Sequence, residues 1–134
     1  MKLSPLLEFK SSAFAVIPGE DDATNPGIYG KALALWLGDQ LRASGFPAGD
    51  VIAEDFGWCV PIESTPHRLY VACASTGEEP NSWRVFAFAE GGFVARLFGK
   101  DEIASSLASL FTAVRGSLES HPSIRGLREE SADV

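Results

Sequence analysis

Two pairs of adjacent carboxylates are the residues whose type and spacing best suit chemistry. Glu54 and Asp55 come just before one predicted strand, and Glu78 and Glu79 come just after the next. In an up-and-down sheet both points fall at the same end, so we expect these four acids to gather there. Grouped carboxylates can hold a metal ion, exchange protons or contact a basic protein partner.

The surroundings of the four acids favour the protein partner. No histidine accompanies them, and the DxDxDG spacing of a calcium loop is missing. We therefore predict neither a metal site nor a cofactor. We expect the acids to form an acidic lip, defined as Glu54, Asp55, Glu78 and Glu79, that attracts a basic partner.

The other reactive side chains form no catalytic motif, and no phosphate-binding loop, nucleophile elbow or zinc-protease pattern occurs. His67 lies in a predicted turn, where it is either solvated or a general base assisted by Glu63. His121 ends a predicted helix, a position that suits a cationic ring. Cys59 has no base among its expected neighbours, so we expect an inert thiol. We assign no catalytic residue and favour binding over catalysis.

The clearest structural pattern in the chain is a hairpin between Glu54 and Ser75, with its turn at residues 64–67. Its predicted core face carries Trp58, Val60, Ile62, Leu69, Val71 and Cys73. Its outer face carries Cys59, Pro61, Tyr70 and Ala72. Because a slip of one residue would exchange the two faces, the pattern itself fixes the register.

The outer face of the hairpin is a second candidate contact surface. Tyr70 contributes a large ring to it, and Glu63 and Arg68 border it. Trp83 opens the next strand after a polar loop and is a candidate for exposure. We include Tyr70 and Trp83 among the predicted partner-binding residues. The face is either tolerated surface or a contact for a partner or for a second copy of the chain.

Helical patterns flank the predicted strands. The first helix is predicted to open at Asn25-Pro26 after a mobile acidic loop at 20–24, and the second to be capped by Asp101 and stopped by His121-Pro122. Further strands are predicted at residues 8–17, 82–90 and 93–98. The order β-α-β-β-β-β-α predicts an α+β fold, a two-layer sandwich of a mainly antiparallel sheet with two helices on one face.

Composition bounds the class of protein. The chain has 134 residues, of which 46% are hydrophobic and 22% charged, as in a globular domain. We place a single domain at residues 1–127 and expect a frayed tail at 128–134. The net charge of −7 argues against nucleic acid as a partner, because that binding depends on Lys and Arg.

Three features predict a cytoplasmic location without membrane contact. No apolar run approaches the ~18 residues that a membrane span needs. Pro5 and Glu8 interrupt any signal-peptide core. Cys59 and Cys73 are expected on opposite faces of one sheet, so no disulfide is expected between them.

The segment Glu54-Asp55-Phe56-Gly57-Trp58, preceded by a helix, resembles small uncharacterised bacterial proteins that carry a Glu-Asp-aromatic-Gly-Trp segment. The resemblance extends over roughly the first two-thirds of the chain and implies no activity or site residue. In size, charge and fold class the chain is also similar to immunity proteins of bacterial toxin systems. That similarity implies an inhibitor that acts by occluding its partner.

Three interpretations of function remain. We favour a small acidic cytoplasmic protein-binding module of inhibitor or immunity type, without catalysis. The second is a small enzyme or ligand-binding domain with a pocket between helices and sheet, lined by Trp36, Trp58 or Tyr29. The third is a structural subunit that forms a homodimer through the outer sheet face.

Overall fold

The computed structural model describes residues 2–63, 68–90 and 100–131. These residues form seven β-strands and two α-helices, with a short 3-10 helix at Glu20–Asp22. In chain order the elements are β1 (Lys2–Leu3), β2 (Leu6–Lys10), α1 (Lys31–Ala43), β3 (Ile52–Glu54), β4 (Gly57–Ile62), β5 (Leu69–Ser75), β6 (Ser82–Ala89), α2 (Lys100–Ser120) and β7 (Arg125–Glu130).

The strands form one antiparallel sheet in the order β3-β4-β5-β6-β2-β7, and β1 also pairs with β6. Helix α1 packs against β4 and β5, helix α2 packs against β6, and the two helices contact each other. The predicted α+β class, with two helices on one face of an antiparallel sheet, is confirmed.

The register of the central hairpin is also confirmed. The ladder between β4 and β5 pairs Trp58 with Cys73 at one end and Ile62 with Leu69 at the other. Trp58 is buried in the core between sheet and helices, whereas Cys59 lies on the outer face beside Ala72. Both cysteines are free thiols.

The core between the helices and the sheet is built from the two predicted apolar stripes. Helix α1 contributes Leu33, Leu37 and Leu41, and helix α2 contributes Ile103, Leu107, Leu110, Val114 and Leu118. Spacings of three and four residues place these side chains on one face of each helix. Helix α2 ends at Ser120, directly before His121-Pro122, as predicted.

Helix α1 begins at Lys31, so the predicted start at Asn25-Pro26 is wrong. The carboxylate of Glu20 accepts hydrogen bonds from the backbone N–H groups of Gly30 (2.9 Å) and Lys31 (3.2 Å). The first N–H groups of a helix have no partner within it, so Glu20 caps α1 from outside the helix. The prediction of a mobile loop at 20–24 is also wrong, because Glu20 is buried in a 3-10 helix.

Residues 24–30, the segment that precedes α1, bind to the end of β5. The Tyr29 N–H donates to Ser75 Oγ (3.0 Å), and the Ser75 N–H donates to the Tyr29 carbonyl (2.8 Å). Gly30 has a φ of 149°, and a Cβ at this position would lie 2.6 Å from the carbonyl oxygen of Cys73. Glycine is required for this approach, and a regular helix starts only after it.

The first long strand is shorter than the predicted range 8–17, because β2 ends at Lys10. The carbonyl of Ser11 then accepts a hydrogen bond from Trp83 Nε1 (3.0 Å). Phe14 turns into the core, with its ring centroid 5.6 Å from that of Trp36 and 6.1 Å from that of Trp83. The apolar residues after Lys10 therefore anchor a loop, which a short apolar run does not distinguish from a strand.

The charged C-terminal segment continues the sheet, so the predicted fraying from residue 128 is wrong for 128–130. Strand β7 pairs with β2 at the edge of the sheet. Leu127 packs against the core, and Arg128 Nη2 lies 2.7 Å from a carboxylate oxygen of Glu8. Charged side chains are typical of edge strands because they discourage pairing with other chains. Because charged residues are also typical of a frayed tail, composition alone predicted a tail at these positions instead of a strand.

Some predicted features lie outside the described residues. They are the hairpin turn at 64–67 with His67, the turn and strand at 91–98, the side chain of Asp101, and residues 132–134.

We expect Leu37→Ala and Leu110→Ala each to lower the free energy of unfolding by about 2–5 kcal/mol, because both side chains are fully buried and truncation leaves a cavity. Leu35→Ala is the matched control, since Leu35 lies on the same helix as Leu37 but is 48% exposed. Urea denaturation of the three variants measures the effect. Equal losses at Leu35 and Leu37 would contradict the assigned helix faces.

Candidate functional site on the outer face of the sheet

Among the described residues, the sheet face opposite the helices carries four aromatic rings, which we call the aromatic patch (Phe56, Tyr70, Phe86 and Phe88). The register pairs Tyr70 with Phe88, and their rings stack with centroids 5.1 Å apart. Phe86 lies 5.9 Å from Phe88 on the same strand. Phe56, in the turn between β3 and β4, lies 6.4 Å from Phe86 and 6.0 Å from Phe88. The patch therefore joins three parts of the chain into one apolar surface.

Three large apolar side chains among the described residues of this face are open to solvent. Phe56 is 44% exposed, Leu3 is 42% exposed, and Ile52, which pairs with Cys59, is 39% exposed. On the same face Phe88 is buried together with Cys59. The exposed side chains thus surround a packed base.

A pocket of about 550 Å³ opens beside the aromatic patch. Strands β5 and β6 contribute Ala74, Ser75, Arg84, Phe86 and Phe88, and residues 24–30 contribute Asn25, Pro26 and Ile28. Leu3, Phe56 and Thr76 complete the lining. Most of these groups are apolar, and Arg84 is the charged residue among the described ones.

An ion-pair row crosses the same face from β6 to β7. Glu8 Oε2 lies 3.2 Å from Arg84 Nη2, and Glu8 Oε1 lies 2.7 Å from Arg128 Nη2. Arg128 also approaches Glu130, at 3.8 Å. The register of β6, β2 and β7 places these side chains opposite one another. One carboxylate therefore serves two guanidinium groups.

The carboxyl group of Glu8 has a lowered pKa. Burial alone raises this pKa, but the hydrogen bonds from Arg128 and Arg84 and their positive charges outweigh burial. Glu8 is therefore held in its ionised form by the two arginines.

The thiols near the patch are unreactive. Burial, with a smaller contribution from the negative charge of Glu54, raises the pKa of Cys59 to about 12. Burial also raises the pKa of Cys73 well above its usual value. Because the thiolate is the nucleophilic form, neither thiol suits nucleophilic chemistry at neutral pH.

The acidic lip is divided between two places and partly paired. Glu54 and Asp55 are exposed at the turn between β3 and β4, beside Phe56. Glu79 forms an ion pair with Lys10 (2.6 Å) on β2. Glu78 lies near the positive charge of Arg128. Within 2–63, 68–90 and 100–131, no three Asp, Glu, His or Cys side chains converge as metal ligands would.

The two aromatic residues predicted for partner binding have different positions. Tyr70 belongs to the aromatic patch and is half-buried, and its hydroxyl donates to Glu90 Oε1 (2.9 Å). Trp83 is 2% exposed, so the expectation that it is exposed is wrong. Its side chain lies on the core face, where it fixes the loop after β2. The polar loop before Trp83 suggested exposure, but strand alternation places it in the core.

The residues proposed to line a pocket between helices and sheet belong to the core instead. Trp58 is buried, and Trp36 and Tyr29 pack against the same core cluster. The ring of Trp36 also contacts His121, with centroids 5.0 Å apart. His121 Nδ1 accepts a hydrogen bond from the backbone N–H of Ser123 (3.1 Å). This hydrogen bond gives His121 a structural role directly after α2.

Sequence reasoning missed the residues that define the outer face. Phe56, Phe86, Phe88 and Leu3 were not selected, and neither were Glu8, Arg84 and Arg128. The alternation Arg84, Phe86, Phe88 along one strand face was a usable signal, because the opposite face is fully apolar. The pairing of β2 with both β6 and β7 was needed to complete it, and local patterns do not reveal such distant pairing.

No protein-family model matches the chain, and neither a curated protein nor a solved structure is significantly similar to it. Among the described residues, no helix has the length and apolar character that crossing a membrane requires. The proposals below therefore stand on the geometry of the outer face.

We expect Glu8→Gln to lower the stability of the protein at pH 7, and this deficit to shrink as the pH falls. The folded-state pKa of Glu8 lies below the ordinary glutamate value of 4.5, so its stabilising effect is complete above pH 4.5. The effect is lost as the pH falls through the folded-state pKa. Urea denaturation of the wild type and the variant between pH 7 and pH 3 tests this.

The exposed Glu102 on α2 supplies the control Glu102→Gln. A deficit for Glu8→Gln that stays constant or grows towards pH 3 would contradict the ion-pair row.

Proposed function

We propose that the protein is a non-catalytic protein-binding module of inhibitor or immunity type, which covers a basic partner with the outer face of its sheet. The observation that carries the proposal is the aromatic patch. It presents a 44% exposed Phe56 on a packed base, on the face that the helices leave uncovered. A resemblance in size, charge and fold class to bacterial immunity proteins accords with it.

Aromatic anchors are the side chains on which protein contacts most depend. They bury much apolar area for little loss of conformational freedom, and contact hot spots are rich in them. Phe56 is an exposed aromatic side chain of the patch, and Leu3 is an exposed aliphatic side chain at its border. An occluding inhibitor needs a rigid surface, and strand pairing holds this one rigid.

Charge complementarity favours a basic partner. Glu54 and Asp55 are exposed directly before Phe56, and Glu90 borders the patch at Tyr70. The chain carries a net charge of −7. Acidic groups around an apolar centre attract a basic surface and guide its approach. They also oppose a second copy of the same acidic chain, so a homodimer through this face is less favoured.

The reactive groups on the face support binding over catalysis. The carboxylate of Glu8 is engaged by two arginines, and the thiol of Cys59 is held protonated. Both groups thus have structural roles. The two free thiols also accord with action in the reducing cytoplasm.

We expect Phe56→Asp to weaken binding to the partner at least about tenfold, the loss typical of removing a hot-spot anchor. The immobilised wild-type chain first captures partners from cells of the source organism. The captured protein is then purified and its binding measured by surface plasmon resonance. Leu35→Asp is the matched control, since Leu35 is similarly exposed but lies on α1.

Raising the salt concentration should slow association more than it speeds dissociation, because salt screens the acidic border during approach.

Full binding by Phe56→Asp together with a loss in Leu35→Asp would overturn the proposed face. A dimer seen by sedimentation that Phe56→Asp dissociates would assign the face to a second copy instead.

A further inference from the structure

We infer that the pocket beside the aromatic patch binds a small carboxylic acid with an apolar body, held by Arg84. This is a ligand-binding function in addition to protein binding, and it requires no protein partner. Its basis is one cavity that combines an apolar lining with a single charged side chain, Arg84, among its described lining residues.

The size and lining of the pocket suit a small molecule. Its volume of about 550 Å³ lies within the ~300–1,000 Å³ range of ligand pockets. Aromatic and aliphatic side chains from five separate segments surround it, among them Leu3, Phe56, Phe86 and Phe88. Such a lining stabilises an aliphatic chain or an aromatic ring by removing it from water.

Arg84 indicates which polar group the ligand carries. Its side chain lines the pocket and is 41% exposed, and its Nη2 donates to Glu8. A carboxylate oxygen is the acceptor that forms the strongest hydrogen bond with a guanidinium group.

The electrostatics of the pocket favour an acid over an amine. Its described lining contains no Asp or Glu, while Asn25 and Thr76 add polar groups near Arg84. Glu8 neutralises Arg84 only in part, because it also pairs with Arg128. One partly neutralised arginine suits a single negative charge, so a monocarboxylate fits better than a phosphate.

Octanoate and octanol distinguish the contribution of the apolar lining from that of Arg84. The two molecules share the alkyl chain, but only octanoate carries a charged carboxylate. We expect isothermal titration calorimetry on the purified chain to show octanoate binding at least about tenfold tighter than octanol. That ratio corresponds to one charge-assisted hydrogen bond. Amide chemical shifts should change in β5, in β6 and at residues 24–30.

Arg84→Gln should abolish the preference for octanoate. Arg128→Gln should retain it, because Arg128 also pairs with Glu8 but does not line this pocket. If Arg84→Gln fails to fold, the wild-type ratio of the two affinities still tests the inference without any variant.

Equal or tighter binding of octanol, no binding of octanoate at millimolar concentration, or shift changes confined to the helices would each overturn the inference. Because no protein partner is present in this assay, its failure would leave the proposed protein-binding function untouched.

Discussion

The carbonyl oxygen of Cys73, near the end of β5, is the point on which the arrangement of the other elements depends. A Cβ on Gly30 or on Gly57 would lie 2.6 Å from this oxygen, closer than real Cβ atoms come. Gly30 directly precedes α1, and Gly57 begins β4. Both backbones can reach β5 only because the two residues are glycines. The start of the helix and the start of the neighbouring strand are thereby fixed relative to one atom.

This constraint connects the core to the outer face. Residues 24–30 are held against the end of β5 by the hydrogen bonds between Tyr29 and Ser75. They are held against the turn between β3 and β4 by the hydrogen bond from the Asn25 N–H to the Asp55 carbonyl (2.9 Å). The same residues form one side of the pocket, and Asp55 precedes Phe56 of the aromatic patch. Glu20, whose carboxylate caps α1, holds the segment from its other end. Packing on one face thus determines which groups the other face presents.

Periodic patterns in the sequence predicted those parts of the fold in which the burial of a side chain follows from its position within one helix or hairpin. The alternation around Trp58 and Cys59 fixed a hairpin register, and the stripes around Leu37 and Leu110 fixed two helix faces, because each period has one buried side. Features that depend on distant partners were mispredicted. The start of α1 depends on Glu20, the burial of Trp83 on the loop after β2, and β7 on ion pairs with other elements. For the candidate site the sequence indicated Tyr70 and the exposed acids Glu54 and Asp55, but not the pocket, whose lining comes from five separate segments.

The central claim is that the outer face of the sheet, and not the helical face, contacts the partner. Hydroxyl-radical footprinting of the protein, alone and with its purified partner, tests this most directly because it reports the solvent access of individual side chains. The account predicts that Phe56 is oxidised in the free protein and protected in the complex, while oxidation of Leu35 on α1 does not change. Protection of Leu35 with unchanged oxidation of Phe56 would contradict it.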